Sequence, residues 1–270
     1  MEGYMSKYLH REDAPFGPAL WQKIDDTVVS AATAQLSARR ILKVEGPYGL
    51  GFKVLPLEDG PVNEDGSVTI PNVMPLAMLK TEFTLMVRDV AAFEEQNTPL
   101  PVNTIAQAAI ELAQKEDDFL FNGVKAMRMG GLLDWASKNS VKRSDWAKVG
   151  SAVGDVIKAV TALDEAGLHG PYALAVPPAW YNLLFRRYEQ GFGTELEHLR
   201  QIVTDGIVKA PALKDGAVII AMGPQFATIV LGQDMMTTFV GPEPGSYRFI
   251  ISETLALRLR QPKALCLIGK

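Results

Sequence analysis

The segment from Val44 to Met74 constrains the fold of this chain more than any other part of its sequence. Turn signals interrupt it at Gly46-Pro47, Asp59-Gly60-Pro61 and Asp65-Gly66, and only short apolar runs lie between them. A segment of this length with so little core-forming pattern is not expected to pack on itself alone. The sequence therefore predicts a projecting hairpin whose partner lies on another subunit.

A long strand and a long helix are expected after this segment. Apolar and polar residues alternate from Leu79 to Arg88, which is typical of an amphipathic strand. From Pro101 to Phe121 apolar residues recur at helical spacing, and Asn122-Gly123 is a typical end signal. The apolar stripe of this helix consists of Ile105, Ala109, Leu112, Phe119 and Leu120.

A helix is also expected from Pro18 to Arg40, before any strand. Pro18 suits a first helical turn, and apolar residues recur at helical spacing behind it. Its stripe consists of Trp21, Ile24, Val28, Ala31, Ala32 and Leu36. Because no strand precedes this helix, its stripe must rest on elements that come later in the chain.

Further helices and strands follow in the second half of the chain. Ser144 is expected to cap a helix that runs to Glu165. The apolar stripe of that helix is expected at Val149, Val153, Ile157, Val160 and Leu163. A strand at Tyr172–Val176 and a helix at Pro178–Tyr188 come next.

The end of the chain fixes the fold class. A glycine-flanked loop at Gly191–Gly193 precedes Thr194 and Glu197, whose spacing is that of a capping box at the start of one more helix. The last third is rich in strands, among them AVIIAM and YRFIISETLALRLRQP. Antiparallel strands that close a chain with this many helices indicate a mixed α+β fold.

Composition excludes several classes of function. The net charge of -4 argues against a nucleic-acid groove, which needs a strong basic excess. The single cysteine, Cys266, excludes an internal disulfide framework and fits a reducing compartment. The polar N-terminus has no hydrophobic segment typical of a secretory signal, and no apolar run is long enough to span a bilayer. We therefore expect a cytoplasmic protein.

The tripeptide Gly-Pro-Tyr occurs twice, but neither copy predicts a ligand site. The flanks of the two copies differ, so they are not an internal repeat. The spacing of Gly46, Gly49 and Gly51 is neither that of a Walker loop nor that of a dinucleotide fingerprint, and no helix follows at once. Each copy is expected to form a corner between a helix and an extended segment.

No arrangement of residues predicts an active site or a metal site. The histidines at positions 10, 169 and 198 do not have a metal-ligand spacing, and His169 is expected to face solvent. Cys266 lies in an apolar strand and is expected to be a buried, unreactive thiol. Of Glu116, Asp117 and Asp118, one is expected to make a structural hydrogen bond or subunit contact while the others face solvent.

Several stretches of the sequence point to one protein family. The first is LWQKIDDTVVSAATAQLSARRILKVEGPYGLGF, which combines a WxxID helix, a basic pair and VEGPYG. The others, in chain order, are FTLMVRDV, KEDDFLFNG with GLLDW, GLHGPYALAV, IVLGQDMMTTFVG and FIISETLALRLRQPKALCLI. Over almost its whole length the chain therefore resembles the encapsulin shell proteins.

This resemblance implies a tailed-phage major-capsid fold of three parts. A discontinuous peripheral domain would comprise residues 1–47, 76–130 and 225–270, the extended loop residues 48–75, and the axial domain residues 131–224. It also implies self-assembly into closed icosahedral nanocompartments of sixty copies or a multiple of sixty. Cargo enzymes of the ferritin-like or peroxidase type would be enclosed, so that iron storage or oxidative-stress defence is the expected physiology.

The resemblance also implies two functional surfaces. The C-terminal peptides of cargo enzymes would dock between the N-terminal helix and a facing strand, through a few apolar anchors and a charge. The expected contacts are Val28, Ala32, Leu36 and Arg39 on the helix, with Ile229, Leu231 and Asp234 on the strand. The fivefold pore is expected to be lined by Gly191, Phe192, Gly193 and Thr194.

Other classes of function differ from a shell in what they require. Some relatives bind a flavin through a tryptophan, but Arg88 stands at that position here, so no cofactor is expected. A phage or prophage capsid protein would package DNA and need a basic inner surface. A bacteriocin-like or proteolytic enzyme would need a nucleophile with a base, or a metal, and neither is found. We therefore expect a structural protein that is not an enzyme, with no nucleic-acid or membrane partner.

Overall fold

The computed structural model describes residues 8–62, 66–189, 191 and 193–269. Within these residues the α-helices are α1 (Pro18–Gln35), α2 (Val87–Gln96), α3 (Asn103–Asn122), α4 (Leu132–Ala136), α5 (Ser151–Glu165), α6 (Pro178–Leu183) and α7 (Glu195–Ile202). The β-strands are β1 (Lys43–Glu45), β2 (Val54–Val62), β3 (Thr69–Pro75), β4 (Ala77–Met86), β5 (Gly123–Val124), β6 (Met129–Gly130), β7 (Ser140–Lys142), β8 (Tyr172–Val176), β9 (Ile207–Lys209), β10 (Gly216–Ala221), β11 (Ala227–Glu243), β12 (Ser246–Leu259) and β13 (Leu265–Gly269). This combination confirms the expected α+β class.

The chain divides into two compact units, as far as the structure describes them. The first unit comprises Met1–Gln35, Glu45–Ala113 and Val230–Ala256, and the second comprises Leu36–Val44, Gln114–Ile229 and Leu257–Lys270. Neither unit is continuous in sequence. The predicted division into a peripheral domain, an extended loop and an axial domain stays a prediction. None of the described helices combines the length and the apolar composition that a membrane-spanning helix requires.

The first unit is built on a four-stranded sheet with the order β1-β11-β12-β4. Strand β12 pairs antiparallel with β4 in an unbroken register from Ser246 opposite Met86 to Leu255 opposite Ala77. The predicted alternation of β4 is confirmed, because Thr81, Phe83 and Leu85 are buried while Glu82, Thr84 and the flanking Lys80 and Met86 are exposed. The strand ends at Met86 rather than Arg88, since the chain turns directly into α2 at Val87.

One side of this sheet carries α1 and the first half of α3. The buried residues of α1 lie on one helical face, as the sequence predicts. Together with α3 and the strands they form one apolar core, whose buried members include Leu20, Trp21, Ile24, Val28, Phe83, Leu85, Ile105, Ala109, Leu112, Phe239, Phe249 and Ile251. The stripe of the N-terminal helix therefore rests on strands that come later in the chain.

Strands β2 and β3 form the hairpin expected from the turn signals. They pair antiparallel from Val54 opposite Pro75 to Val62 opposite Thr69, with irregularities on both sides of Asp59. Among the described side chains of the two strands only Leu55 is buried. The hairpin thus has almost no core within its own chain, while a partner on another subunit stays a prediction.

The second unit contains a five-stranded sheet with the order β7-β13-β10-β8-β9. Strand β10 lies at its centre and pairs antiparallel with both β13 and β8, whereas the outer strands β7 and β9 pair parallel with their neighbours. Every residue of β8 and β10 is buried. Helices α5 and α7 contribute Val156, Leu163, Leu196 and Leu199 to the same core.

Two helix boundaries differ from the sequence prediction near buried aspartates. Helix α1 ends at Gln35 rather than Arg40, because the N–H groups of Ser37 and Ala38 donate to the Asp117 carboxylate instead of helical carbonyls. Helix α5 begins at Ser151, and Ser144 does not cap it. Instead, the Ser144 hydroxyl donates to Asp155 at 2.7 Å.

The predicted stripe of α5 is only partly right: Leu163 is buried and Val153 and Val160 pack, partly buried, against the same core, but the other two positions are exposed. Val149 lies before the helix and is exposed, as is Ile157. The buried residues are Ala152, Asp155, Val156, Ala159 and Leu163. Helix α6 is shorter than predicted, since it ends at Leu183 rather than Tyr188.

The two Gly-Pro-Tyr corners differ, which agrees with two unrelated turns. The first follows the short strand β1 rather than a helix, and a Cβ atom at Gly46 would collide with the carbonyl oxygen of Leu231. Gly46 also has a φ of 106°, a conformation that favours glycine. The second corner leads from α5 into the buried strand β8, as expected.

Candidate functional site

Helix α1 presents one exposed face in addition to its buried one. Val29, whose exposed fraction is 62%, lies on this face among polar neighbours. Beside it runs a groove of about 360 Å³ between α1 and the start of α3. The groove is lined by Lys23, Asp26, Thr27, Ser30, Ala31, Val102 and Ala106. It combines small side chains, one cation and one carboxylate within the first unit.

The residues expected to bind a cargo peptide are mostly buried in their own chain. Their positions are Val28 and Ala32 in α1, Leu36 after it, and Ile229 and Leu231 in β11. Each of these five side chains is at most 7% exposed. A peptide could reach them only if their neighbours moved. Their assignment to peptide binding stays a prediction, and the exposed groove beside α1 is the more accessible surface.

The two charged residues of that set are already engaged. Arg39 forms a bidentate ion pair with the buried Glu116, with Nε–Oε1 at 2.8 Å and an Nη2–Oε2 distance of 2.9 Å. Asp234 is half-buried, and its carboxylate accepts a hydrogen bond from the N–H of Met235 at 2.9 Å. Arg39 therefore holds the turn after α1 in place.

The Asp117 carboxylate holds the same turn by binding the turn's main chain. The Ser37 hydroxyl donates to the carboxylate at 2.6 Å, and the N–H groups of Ser37 and Ala38 donate to it at 2.9 Å each. Burial raises the pKa of Asp117, although these hydrogen bonds act in the opposite direction. The expectation that only one residue of the acidic run is structural is wrong, because Glu116 and Asp117 are both buried and bonded while Asp118 is exposed.

The loop predicted to line a pore has an ordered base. The Tyr188 N–H donates to the Gly193 carbonyl at 3.3 Å, and Arg187 forms an isolated bridge with Thr194. The predicted capping box is confirmed, since the Thr194 hydroxyl accepts from the Glu197 N–H and the Glu197 carboxylate accepts from the Thr194 N–H. Gly191 is exposed and Gly193 half-buried. Phe192 lies outside the described residues.

An ion pair between the half-buried Arg186 and the buried Glu195 lies at this base. Arg186 and Glu195 face each other across it, with Nη2–Oε2 at 3.4 Å. Both also hold the segment before α5, since Arg186 donates to the carbonyls of Trp146 and Ala147 and Glu195 accepts from the Gly150 N–H at 2.7 Å. The sequence offered no signal for this pair, because its partners lie about forty positions away along the chain.

Asp155 anchors the same segment from the helix. Its carboxylate accepts from the Ser144 N–H at 2.6 Å and from the Trp146 ring N–H at 3.0 Å, and Lys158 lies at 3.2 Å. Burial alone would raise the pKa of Asp155, but these hydrogen bonds together lower it below its ordinary value. Asp155, Arg186 and Glu195 therefore act as a structural network.

Cys266 and His169, the remaining reactive groups considered within the described residues, do not lie in a catalytic arrangement. Cys266 is fully buried, and burial raises the pKa of its thiol to about 11. His169 is exposed and lies 3.2 Å from Asp164. Among the residues that the structure describes, no group of three or more histidine, cysteine or acidic side chains could hold a metal ion.

An arginine before α1 has contacts that no sequence pattern indicates. Arg11 forms a bidentate pair with Asp25 of α1, with distances of 2.6 and 2.8 Å, and its Nε donates to the Thr237 carbonyl of β11 at 3.3 Å. Its guanidinium lies 4.5 Å from the centre of the Trp21 ring. The segment before α1 is thus attached to both the helix and the sheet.

Comparison with known proteins gives one family. A family model described as "Encapsulating protein for peroxidase" matches residues 5–256. The type 1 encapsulin shell protein EncA of Myxococcus xanthus is 29% identical, with 97% of this chain and 96% of that protein covered. A diheme-cytochrome-encapsulin shell fusion protein of Kuenenia stuttgartiensis is 30% identical, with 91% of this chain and 71% of that protein covered.

Solved structures share the fold. The virus-like particle from Pyrococcus furiosus has a TM-score of 0.74 at 22% identity, covering 93% of this chain and 99% of that one. The capsid of Myoviridae phage XM1 has a TM-score of 0.61 at 14% identity, covering 84% of this chain and 89% of that one. The capsid-like fold expected from the sequence is therefore confirmed.

Proposed function

Because the chain belongs to the encapsulin family of shell proteins, we propose that its copies assemble into a closed icosahedral compartment that encloses guest enzymes. As a member of this family the chain is a structural shell component. In our proposal the chemistry belongs to the guests and the wall itself is not a catalyst. The observation that carries the assembly is the hairpin of β2 and β3.

The hairpin is incomplete as an isolated structure. Its two strands form a sheet of their own, so each has an outer edge of backbone groups that can pair with another strand. Its side chains are also exposed, with Ile70 at 69%, Val73 at 58% and Val54 at 42%. A neighbouring copy can satisfy both the edges and the apolar surface. A closed, symmetric arrangement repeats this contact around the particle, for which we propose sixty copies or a multiple of sixty.

We propose that the compartment wall has the three parts expected from the sequence. The hairpin is the extended loop, and the loop with Gly191, Gly193 and Thr194 lines a pore at the fivefold axis. The network of Arg186 and Glu195 supports this part of the proposal, because a pore needs a loop with a fixed base. The single buried cysteine fits the proposed cytoplasmic location of the particle.

Guest enzymes are proposed to dock at α1 through their C-terminal peptides. The groove beside α1 offers Val102 and Ala106 for apolar anchors and Lys23 and Asp26 for charges that set the register of a peptide. The residues named from the sequence remain candidates for a deeper contact beneath this surface. A single anchor of this kind is weak, and many copies facing one enclosed space supply retention by avidity.

The relatives suggest what the guests do. The family description names a peroxidase, one relative is fused to a diheme cytochrome, and a relative from Pyrococcus furiosus is a ferritin-like-encapsulin shell fusion protein. These are redox and iron-handling proteins. We therefore propose guests of the ferritin-like or peroxidase type, with iron storage or oxidative-stress defence as the physiological role.

A second candidate function is a phage capsid that packages DNA, which the fold shared with phage XM1 favours. Such a capsid would have to hold a polyanion. The net charge of -4 favours a protein guest instead, because nucleic-acid packaging requires a basic lining.

The proposal is tested by electron microscopy and native mass measurement of the purified full-length chain. We expect closed particles of sixty copies or a multiple, with a ratio of absorbance at 260 to 280 nm typical of protein alone. The double variant Ile70→Asp/Val73→Asp should leave the chain folded and abolish the particles. Nucleic acid inside the particles would support the phage alternative, and a lone protomer in every buffer would contradict both.

A further inference from the structure

The described part of the segment before α1 packs against the rest of the first unit at two places, Leu9 and Phe16. Leu9 is only 3% exposed, and its carbonyl accepts a hydrogen bond from the N–H of Phe239 at 2.9 Å. Phe16 lies between aromatic rings, with its centre 5.4 Å from Trp21 and 5.7 Å from Phe239. These two contacts hold the segment through apolar packing and one main-chain hydrogen bond, without a charged side chain.

Arg11 adds a different kind of contact between these two places. Its guanidinium binds the carboxylate of Asp25 through two parallel hydrogen bonds, donates a third to the carbonyl of Thr237, and stacks on the ring of Trp21. One planar side chain thus connects the first two turns of α1 to strand β11. Only arginine has the donor geometry for all three contacts, since a lysine ammonium can neither bind a carboxylate bidentately nor stack flat on a ring.

Helix α1 depends on such external contacts for its position. Its middle contains Thr27, Val28, Val29 and Ser30, which are β-branched or otherwise weak helix formers. The helix is therefore held by packing rather than by its own propensity. On its exposed side, Lys23, Asp26 and Ser30 form one wall of the groove whose other wall includes Ala106. The width of the groove is set by where α1 lies on the sheet.

We propose that Arg11 is a positioning residue that fixes α1 on the sheet and thereby preforms the groove beside it. A groove that is fixed in advance binds a peptide more tightly than one that must be ordered on binding. This inference rests on the proposed guest function, since the groove is the surface that we assign to guests. The positioning itself concerns one copy of the chain and is measurable without guest or assembled particle.

The test measures the groove directly with a pair of introduced cysteines. Ser30→Cys and Ala106→Cys, both lining the groove, are combined in the full-length chain and treated with a short bismaleimide. The native Cys266 serves as an internal reporter of unfolding, because it is fully buried and the raised pKa of its thiol keeps it unreactive in the folded chain. Yield of the cross-link and labelling of Cys266 are both read by mass spectrometry.

Arg11→Ala and Arg11→Lys are compared in this background with His10→Ala as the matched control. His10 lies in the same segment, and its ring pairs on the surface with the near neighbour Asp13. We expect the cross-link yield to fall on the order of fivefold in both Arg11 variants, as expected for the loss of a charge-assisted bidentate pair, and to stay unchanged in His10→Ala. Cys266 should remain unlabelled throughout.

Three results would overturn the inference. An unchanged cross-link yield in Arg11→Ala would mean that apolar packing alone positions α1. Full yield in Arg11→Lys would mean that a positive charge suffices and that the bidentate geometry of the guanidinium is not needed. Labelling of Cys266 in both Arg11 variants would mean that the residue supports the whole fold rather than one helix. Failure of the wild-type chain to form particles would instead contradict the proposed function, whatever the cross-link shows.

Discussion

The hairpin of β2 and β3 and the central strands β8 and β10 are both antiparallel ladders, yet they have opposite surroundings. Every residue of β8 and β10 is buried, whereas Leu55 is the only buried residue among the described side chains of the hairpin. The ladder of β8 and β10 finds its core inside the chain. The hairpin has almost no core within its own chain, and in our proposal a neighbouring copy supplies one. Stability and assembly should therefore respond to different substitutions.

The largest effect on stability is expected in the central strands. Ile219→Ala, a truncation at a fully buried position of β10, should lower the free energy of unfolding by about 2–5 kcal/mol. The matched variant Ile70→Ala in the hairpin should change it by no more than about 0.5 kcal/mol. Guanidinium unfolding followed by tryptophan fluorescence measures both. Equal losses in the two variants would contradict the contrast between these regions.

The next largest effect is expected on assembly, with the stability of the chain unchanged. A Cβ atom at Gly60 would lie 2.6 Å from the carbonyl oxygen of Ile70 on the paired strand, so Gly60→Ala must distort the hairpin. We expect the yield of particles to fall on the order of tenfold while the chain stays folded, because the distortion is local. Gly51→Ala is the control, since a Cβ atom there meets nothing within 4 Å. Size-exclusion chromatography measures the yield of particles. Equal yields for the two variants would argue against a role of the hairpin in assembly.

A smaller effect depends on pH and concerns the second unit. The pKa of Asp155 is lowered in the folded chain, so its contribution to stability is present above the ordinary aspartate value and is lost as the pH falls through the lowered value. Asp155→Asn should reduce the free energy of unfolding at neutral pH by about 1–3 kcal/mol. It should also weaken the loss of stability between about pH 5 and pH 2.

Asp117 serves as a control, because its pKa shift has the opposite sign. Its pKa is raised, so its contribution is fully present below the ordinary value and is lost as the pH rises through the raised one. In Asp117→Asn the pH dependence of unfolding should therefore change in the other direction. Denaturant unfolding at a series of pH values measures both variants, and changes of the same sign would show that the two carboxylates are not in different environments.

The smallest effect on stability is expected on the exposed face of α1. Val29→Ser should leave the free energy of unfolding within about 0.5 kcal/mol, because the side chain is 62% exposed. If guests dock on this face, the mass of guest per particle purified from the native host should fall. Thr33→Ala, one turn further on the same exposed face, is the control for helix propensity. An unchanged mass of guest per particle in Val29→Ser would show that guests do not dock on this part of α1.

Regular patterns predicted most elements of the fold. The alternation in β4, the spacing in α3 and the turn signals around the hairpin each depend on neighbours in sequence, and the structure confirms all three. Helix α2 escaped prediction because it begins directly after Met86, without a turn signal between strand and helix. The stripe of α5 was predicted only in part, because the buried Asp155 belongs to it and a hydrophobic pattern does not show that a polar residue is buried.

The contacts of the candidate site were harder to predict from the sequence than the helices and strands, for a related reason. Arg39 and Glu116 are separated by 77 positions, and Arg11 reaches a carbonyl 226 positions away. Contacts at such separations form only in the folded chain and produce no periodic pattern in the local sequence. The apolar residues chosen for peptide binding from family resemblance stay a prediction. Leu36 lies after α1 rather than on it, and the burial of Val28 and Leu231 depends on side chains that a motif does not include.

The prolines of the hairpin have a consequence for the time before assembly. Pro56 in β2 and Pro71 and Pro75 in β3 have no backbone N–H, and the ladder between the strands is already irregular on both sides of Asp59. A flat, uninterrupted edge would let newly made copies add to one another without limit, as in amyloid fibrils. The prolines and the irregular ladder make this hairpin a poor template for such unlimited stacking.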